Sequence, residues 1–202
     1  MEDLNNFIDR LSSETVDVLV VTNMYFWEDG SNRARISNLR KYLNYFSENK
    51  PKLILVGEAP GYRGCCVSGI PLTSTGVMKT VPFFKEIGIT EVKCVQDEST
   101  ASIVWNYLNE KGAYPLFWNA YPFHPHKKNN SASNRKPTKS ELEVGKRYLK
   151  ELMAIFPDAQ LVAVGKVAQE SLWSEGIDAR CIRHPAFGGK AEFIRGLEEL
   201  LN

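Results

Sequence analysis

Three short stretches of this chain carry the residue types that do chemistry. The first is Gly57-Glu58-Ala59-Pro60-Gly61-Tyr62-Arg63-Gly64. Glycines at 57, 61 and 64 permit positive φ and let backbone amides come close to a ligand, while Pro60 stiffens the turn. Glu58, held at the mouth of such a loop, can orient a water or act as a base. A tight turn with a solvated glutamate is the alternative. The second stretch ends the apolar run PLFWN in Asn119. A buried Asn must satisfy two donors and one acceptor. Its amide edge complements an acceptor-beside-donor edge such as O4/N3–H of a pyrimidine, and it could equally cap the turn YPFHP. The third is His184-Pro185, where an imidazole could stabilise developing negative charge by hydrogen bonding, or simply pack. Singly, each of the three is ambiguous.

Four segments read as short strands that would bring these residues together: Lys52–Val56, Pro115–Asn119, Gln160–Val164 and Arg180–Arg183. Each is apolar at consecutive positions, as in a parallel strand covered on both faces. Helical spacing occurs at Asn38–Phe46, at Glu141–Phe156 with Ser140 placed to cap it, at Lys166–Trp173 and at Ala191–Leu201. VDVLVV (Val16–Val21) reads as a strand or a buried helix end. Alternating strands and helices predict an α/β fold, a three-layer α/β/α sandwich with a mainly parallel four-stranded central sheet. The expected organisation is one domain over residues 1–202, with 1–37 as an extension packed on it. Ligands of such folds bind at the carboxyl ends of the strands. Three of the four strand ends here are GEAPG, NAYPFHPH and HPAFGG.

A length of 202 residues with 43% hydrophobic and 24% charged residues is that of a soluble globular domain. No apolar run reaches the roughly 18–20 residues that span a bilayer, and MEDLNNFIDR lacks the features of a signal peptide, so no membrane partner and a cytoplasmic location are expected. Cys65, Cys66, Cys94 and Cys181 form no CxxC pair, which points to reduced thiols and no metal, with a redox or soft-metal site at the vicinal pair Cys65–Cys66 as the alternative. The net charge of +1 makes no global attraction for nucleic acid. The segment FHPHKKNNSASNRKPTKS is locally basic, however, with Lys127, Lys128, Arg135, Lys136 and Lys139 and no acid. A second basic run holds Arg33, Arg35, Arg40 and Lys41.

Taken in order, GEAPG after the first strand, an Asn closing the second and HPA closing the last resemble the motif set of the uracil-DNA glycosylase superfamily. GEAPG is closest to its family 4 version. Gly57–Cys65 followed by Gly69–Ser74 is similar to a smaller glycosylase-like group reading GEAPGYRGC…GIPxTS. The resemblance runs from about Asn38 to Leu201 and implies a monofunctional DNA glycosylase, a hydrolase of DNA repair that flips a base out of DNA. It assigns Glu58 to the hydrolytic water or the oxocarbenium-like sugar, Asn119 to the base edge and His184 to the base O2. Gly57, Gly61 and Leu72 would line the base pocket. Phe187, in the loop Pro185–Gly189, would be the wedge that fills the gap left by the flipped nucleotide. The basic loop would meet phosphates.

Three departures from the superfamily pattern stand out. Gly61 takes the place of a Tyr that blocks C5 substituents, Leu72 that of a Phe that stacks on uracil, and the iron–sulfur cysteines of family 4 are missing. The implied enzyme is therefore a cofactor-free monomer acting on uracil or a C5-modified pyrimidine in single- or double-stranded DNA. The alternatives are a glycosylase for a bulky modified base in foreign (phage) DNA, or a catalytically weak DNA-binding member.

Overall fold

The structure is a computed structural model and describes residues 2–89, 95–174 and 176–201. Its centre is a four-stranded, wholly parallel sheet of order β3-β2-β5-β6, formed by β2 (Leu53–Gly57), β3 (Leu116–Asn119), β5 (Gln160–Val164) and β6 (Arg180–Ile182). The four strands fall within a residue of the segments expected from the apolar runs. All of β2 and β3 is buried, as is β5 after Gln160, because helices flank the sheet. The chain therefore adopts the expected α/β layering.

Parallel pairing places every strand's carboxyl end on one edge of the sheet. The register is specific there: Gly57 lies opposite Asn119, and Val164 lies opposite Ile182. Glu58 follows β2 directly, and His184 follows β6 by two residues. Sheet register thus delivers the three chemical stretches to a single edge.

The helices differ from expectation in extent and caps. α2 (Arg33–Asn49) is longer than the apolar stripe Asn38–Phe46 suggested. α7 (Lys139–Ile155) starts two residues earlier and is capped by Thr138, not Ser140. Thr138 accepts from the Glu141 amide, and the Glu141 carboxylate accepts from the Thr138 amide, so both orphan donors are satisfied reciprocally. Gly145 lets α7 approach closely, since a Cβ there would sit 1.8 Å from the Ala120 carbonyl oxygen. α8 (Lys166–Trp173) and α9 (Lys190–Leu201) lie where helical spacing put them.

Four helices add to the sequence reading: α3 (Cys65–Ser68), α4 (Thr75–Thr80), α5 (Pro82–Glu86) and α6 (Ser99–Lys111). A further helix, α1 (Glu2–Ser13), buries Leu4, Phe7, Ile8 and Leu11 and packs on α2 and α7. Its Phe7 ring lies 5.4 Å from Trp118 of β3. A 3₁₀ turn spans Gly30–Asn32.

VDVLVV is neither a strand nor a helix end over most of its length. The Val20 and Val21 amides both close a turn on the Asp17 carbonyl, leaving Val18 and Leu19 exposed. Only Val21 enters a strand, the two-residue β1 (Val21–Thr22), antiparallel to β4 (His124–Pro125). No helix among the described residues is long and apolar enough to cross a membrane. Cys65, Cys66 and Cys181 are free thiols, and Cys94 lies outside the described residues. Among the described residues no three His, Cys, Asp or Glu side chains gather as a metal site.

Candidate active site

A cleft of about 950 Å³ opens at the carboxyl edge of the sheet. Gly57, Glu58, Gly61, Leu72, Asn119, His184 and Phe187 all line it. The chain thus gathers its sequence-predicted base-pocket and catalytic candidates, more than a hundred residues apart in sequence, around one cavity.

Asn119 is 3% exposed, and no described residue hydrogen-bonds its side-chain amide. Its amide atoms are not sealed off but open into the cleft, where they are free to bond a ligand. The turn-capping alternative therefore finds no support in the geometry. Gly57 is glycine for the sake of this group: a Cβ there would lie 2.9 Å from Asn119 Oδ1 and 3.5 Å from Leu72 Cδ1. The glycines of the loop do not serve the backbone as expected. None of Gly57, Gly61 and Gly64 has positive φ, so what they provide is space. At Gly61 that space is unfilled, the nearest atom to a built Cβ being Asn134 Oδ1 at 4.0 Å.

Glu58 is half-buried, and no described residue hydrogen-bonds its carboxylate. Burial pushes its pKa above the ordinary carboxylate value, and Lys136 nearby pulls it partway back. His184 shows the opposite response of a base to the same cause. Burial lowers its pKa, the Glu98 carboxylate raises it, and Arg183 lowers it again. The Ala186 amide donates to His184 Nδ1 at 3.2 Å. An acceptor Nδ1 fixes the neutral tautomer, leaving the ring proton on Nε2 with no described residue to receive it. The site therefore holds a carboxylate, a neutral imidazole donor and an unpaired carboxamide around one cavity.

Leu72 sits at φ 52°, a strained conformation for a branched residue. Phe187, also at positive φ, is 98% exposed on the loop between β6 and α9, at the rim of the cleft. An aromatic ring held in water at a cleft mouth is available to an incoming apolar surface.

The predicted phosphate-binding loop divides in two. Lys127, Lys128, Lys136 and Lys139 are exposed, and Lys136 lines the cleft. Arg135 differs. Its fork meets both Glu141 oxygens at 2.6 and 2.7 Å and donates to the Val20 and His126 carbonyls, so its guanidinium fastens the loop to the body. The other basic run serves the fold too: Arg35 bonds Asn32, Arg40 reaches Asn5 and Asp9, and Lys41 donates to the Gly88 carbonyl.

Several lining residues escaped sequence reasoning. Glu98 caps α6, accepting from the Thr100 and Ala101 amides at 3.0 and 2.8 Å, and faces the cleft. Asn134 accepts from the Tyr62 amide at 3.1 Å and so braces the loop after Glu58. Arg63 and Lys190 add positive charge at the rim. Glu98 carried one signal, as a capping residue ahead of the apolar spacing of STASIVWNYL. The other three carried none beyond charge or polarity.

Comparison with known proteins bears on the family and the fold. The family model of the uracil DNA glycosylase superfamily matches residues 43–196. The crystal structure of wild-type SMUG2 from Pedobacter heparinus superposes with a TM-score of 0.70 at 12% identity, covering 98% of this chain and 96% of that one. No curated protein sequence matches the chain significantly. The family match spans well over half of the chain, and the chain belongs to the uracil DNA glycosylase superfamily.

Proposed function

We propose that the chain is a monofunctional DNA glycosylase that hydrolyses the N-glycosidic bond of a flipped uracil or C5-modified pyrimidine, acting as a cytoplasmic monomer without metal or organic cofactor. Superfamily membership supports DNA glycosylase activity and a DNA partner in general terms. The observation that carries the finer reading is the unpartnered Asn119 amide in the same cleft as Glu58 and His184.

In this reading the base leaves the stack because its glycosidic bond is unreachable inside a duplex. Asn119 donates to O4 and accepts from N3–H. As the C1′–N1 bond lengthens, negative charge gathers on the base, and the Nε2 proton of His184 meets it at O2. A neutral donor suits this task, since it stabilises the anion without first requiring protonation at neutral pH. Glu58, ionised, orients water toward C1′ and balances the positive sugar. Phe187 fills the vacated stack.

The emptiness beside Gly61 favours a substrate with a group on C5. A hydrophobic pocket discriminates one methyl by only about 1–3 kcal/mol, so a site lacking a blocking side chain cannot exclude larger substituents well. The test is single-turnover cleavage of labelled oligonucleotides carrying uracil, 5-hydroxymethyluracil or a bulkier 5-substituted pyrimidine. Wild type is expected to cleave a 5-substituted base at least as well as uracil. Gly61→Tyr, for which the backbone is unstrained and the space open, should restore preference for uracil by roughly 10–100-fold. Cleavage of uracil alone by the wild type would remove the wide-pocket specificity. A bulky modified base of foreign DNA is the second reading, favoured by the same space.

Lys127, Lys128 and Lys139 are the proposed phosphate contacts, with Lys136 at the cleft. Each phosphate contact contributes close to one unit to the slope of log K against log salt. Replacing Lys127, Lys128 and Lys139 by Gln should weaken DNA binding and flatten that slope by roughly 2–3 units. An unchanged slope would move the DNA to another face.

A further inference from the structure

His124 lies in β4, outside the cleft, and is completely buried. Its two ring nitrogens face two backbone carbonyl oxygens. Nδ1 is 2.7 Å from the Pro60 oxygen and Nε2 is 3.0 Å from the Ser131 oxygen. A carbonyl only accepts, so both contacts are hydrogen bonds only when both nitrogens carry protons. A neutral ring would set a lone pair against one of the two oxygens. Pro60 follows Glu58 by two residues in the loop after β2, and Ser131 lies in the basic loop. This one side chain therefore joins the two loops that the proposed reaction needs in register.

We infer that His124 is a positioning residue whose imidazolium form clasps the Glu58 loop to the basic loop, donating from Nδ1 to Pro60 and from Nε2 to Ser131. The clasp is complete when the ring is charged. Its charged and titratable neighbours are His126, with ring centres 5.5 Å apart, and Arg135. Burial and these two neighbours hold its pKa below the ordinary histidine value, and the two carbonyls act against them. Raising pH removes the Nε2 proton, because the Nδ1 contact is the shorter. The Ser131 contact is then lost while Pro60 stays held, and Arg135 still fastens the basic loop to the body. The kinetic part of this inference rests on the glycosylase reading, and the protonation part does not.

The chain has three histidines, which makes a long-range ¹H–¹⁵N spectrum of their rings simple to assign. Both His124 nitrogens should show imidazolium shifts at the acid end of the folded range, with Nε2 alone losing its proton as pH rises. His124→Asn places an amide where Nδ1 was and keeps the Pro60 bond. His124→Gln places one where Nε2 was and keeps the Ser131 bond. At the acid end of the folded range, where the wild-type ring is charged, the Asn variant should raise KM for oligonucleotide by about tenfold with little change in kcat. The difference from wild type should vanish as pH rises and the wild-type ring loses its Nε2 proton. The Gln variant should lower kcat by about tenfold with KM nearly unchanged, as expected when a catalytic loop is misplaced. A His124 nitrogen that stays unprotonated throughout the folded range would overturn the clasp, as would identical kcat and KM in the two variants. The nitrogen spectrum is read whether or not the protein cleaves DNA, so absence of cleavage would count against the glycosylase reading alone.

Discussion

Glu58→Gln is expected to lower single-turnover cleavage by about 10²–10⁴-fold while leaving DNA binding nearly unchanged. The substitution preserves size and removes only the charge that would orient water and balance the sugar cation. The pH profile supplies a second arm. Burial raises the Glu58 pKa, and the group works ionised. Activity is therefore present above this raised pKa and lost as pH falls through it, so the acid limb should sit at higher pH than an exposed glutamate would give. Lys136 pulls that pKa down. Lys136→Gln should accordingly move the limb further toward neutrality. A limb that ignores Lys136, or full activity in Glu58→Gln, would assign the carboxylate to the fold alone.

The second large effect belongs to His184. His184→Ala removes a donor aimed at charge that exists only in the transition state, and is expected to lower kcat by about 10²–10³-fold with KM little altered. His184→Gln should retain part of the rate, because its amide nitrogen stands near the place of Nε2. The folded-state pKa of His184 is depressed by burial, so the ring stays neutral at and above neutral pH. It should add no limb on the alkaline side. Equal losses in the Ala and Gln variants would mean that His184 acts by packing the loop before Phe187.

Much of this arrangement was legible in the sequence because a strand buried on both faces leaves a continuous apolar signature. KLILV, PLFWN and QLVAV read as strands covered on both faces, β3 at the end of the sheet included, and parallel strands must end on the same edge. Once that is granted, Glu58, Asn119 and His184 have to converge. The helix cap was misplaced although its signal was present: Thr138 and Glu141 have the capping-box spacing, and Ser140 was merely the nearer hydroxyl. VDVLVV misled because its apolar residues are not periodic, and Val18 and Leu19 are exposed at a turn. Residues 65–86 gave no helical signal because α3, α4 and α5 are each too short to show a period. Glu98 and Asn134 come from loops, where position depends on tertiary packing that no local pattern encodes. Arg135 looked like its lysine neighbours, and only the fold shows its pairing with Glu141. An isolated basic side chain in sequence gives no sign of whether it faces phosphate or a carboxylate.

The central claim is that water cleaves a glycosidic bond in this cleft, and the product tests it directly. A uracil- or 5-hydroxymethyluracil-containing oligonucleotide is incubated with the protein in ¹⁸O-enriched water, and both products are weighed by mass spectrometry. The expected result is release of the free, unlabelled base together with an intact-backbone abasic strand carrying one ¹⁸O at C1′, absent with the Glu58→Gln, His184→Ala double variant. Oligonucleotide bound tightly but recovered with every candidate base in place would contradict it.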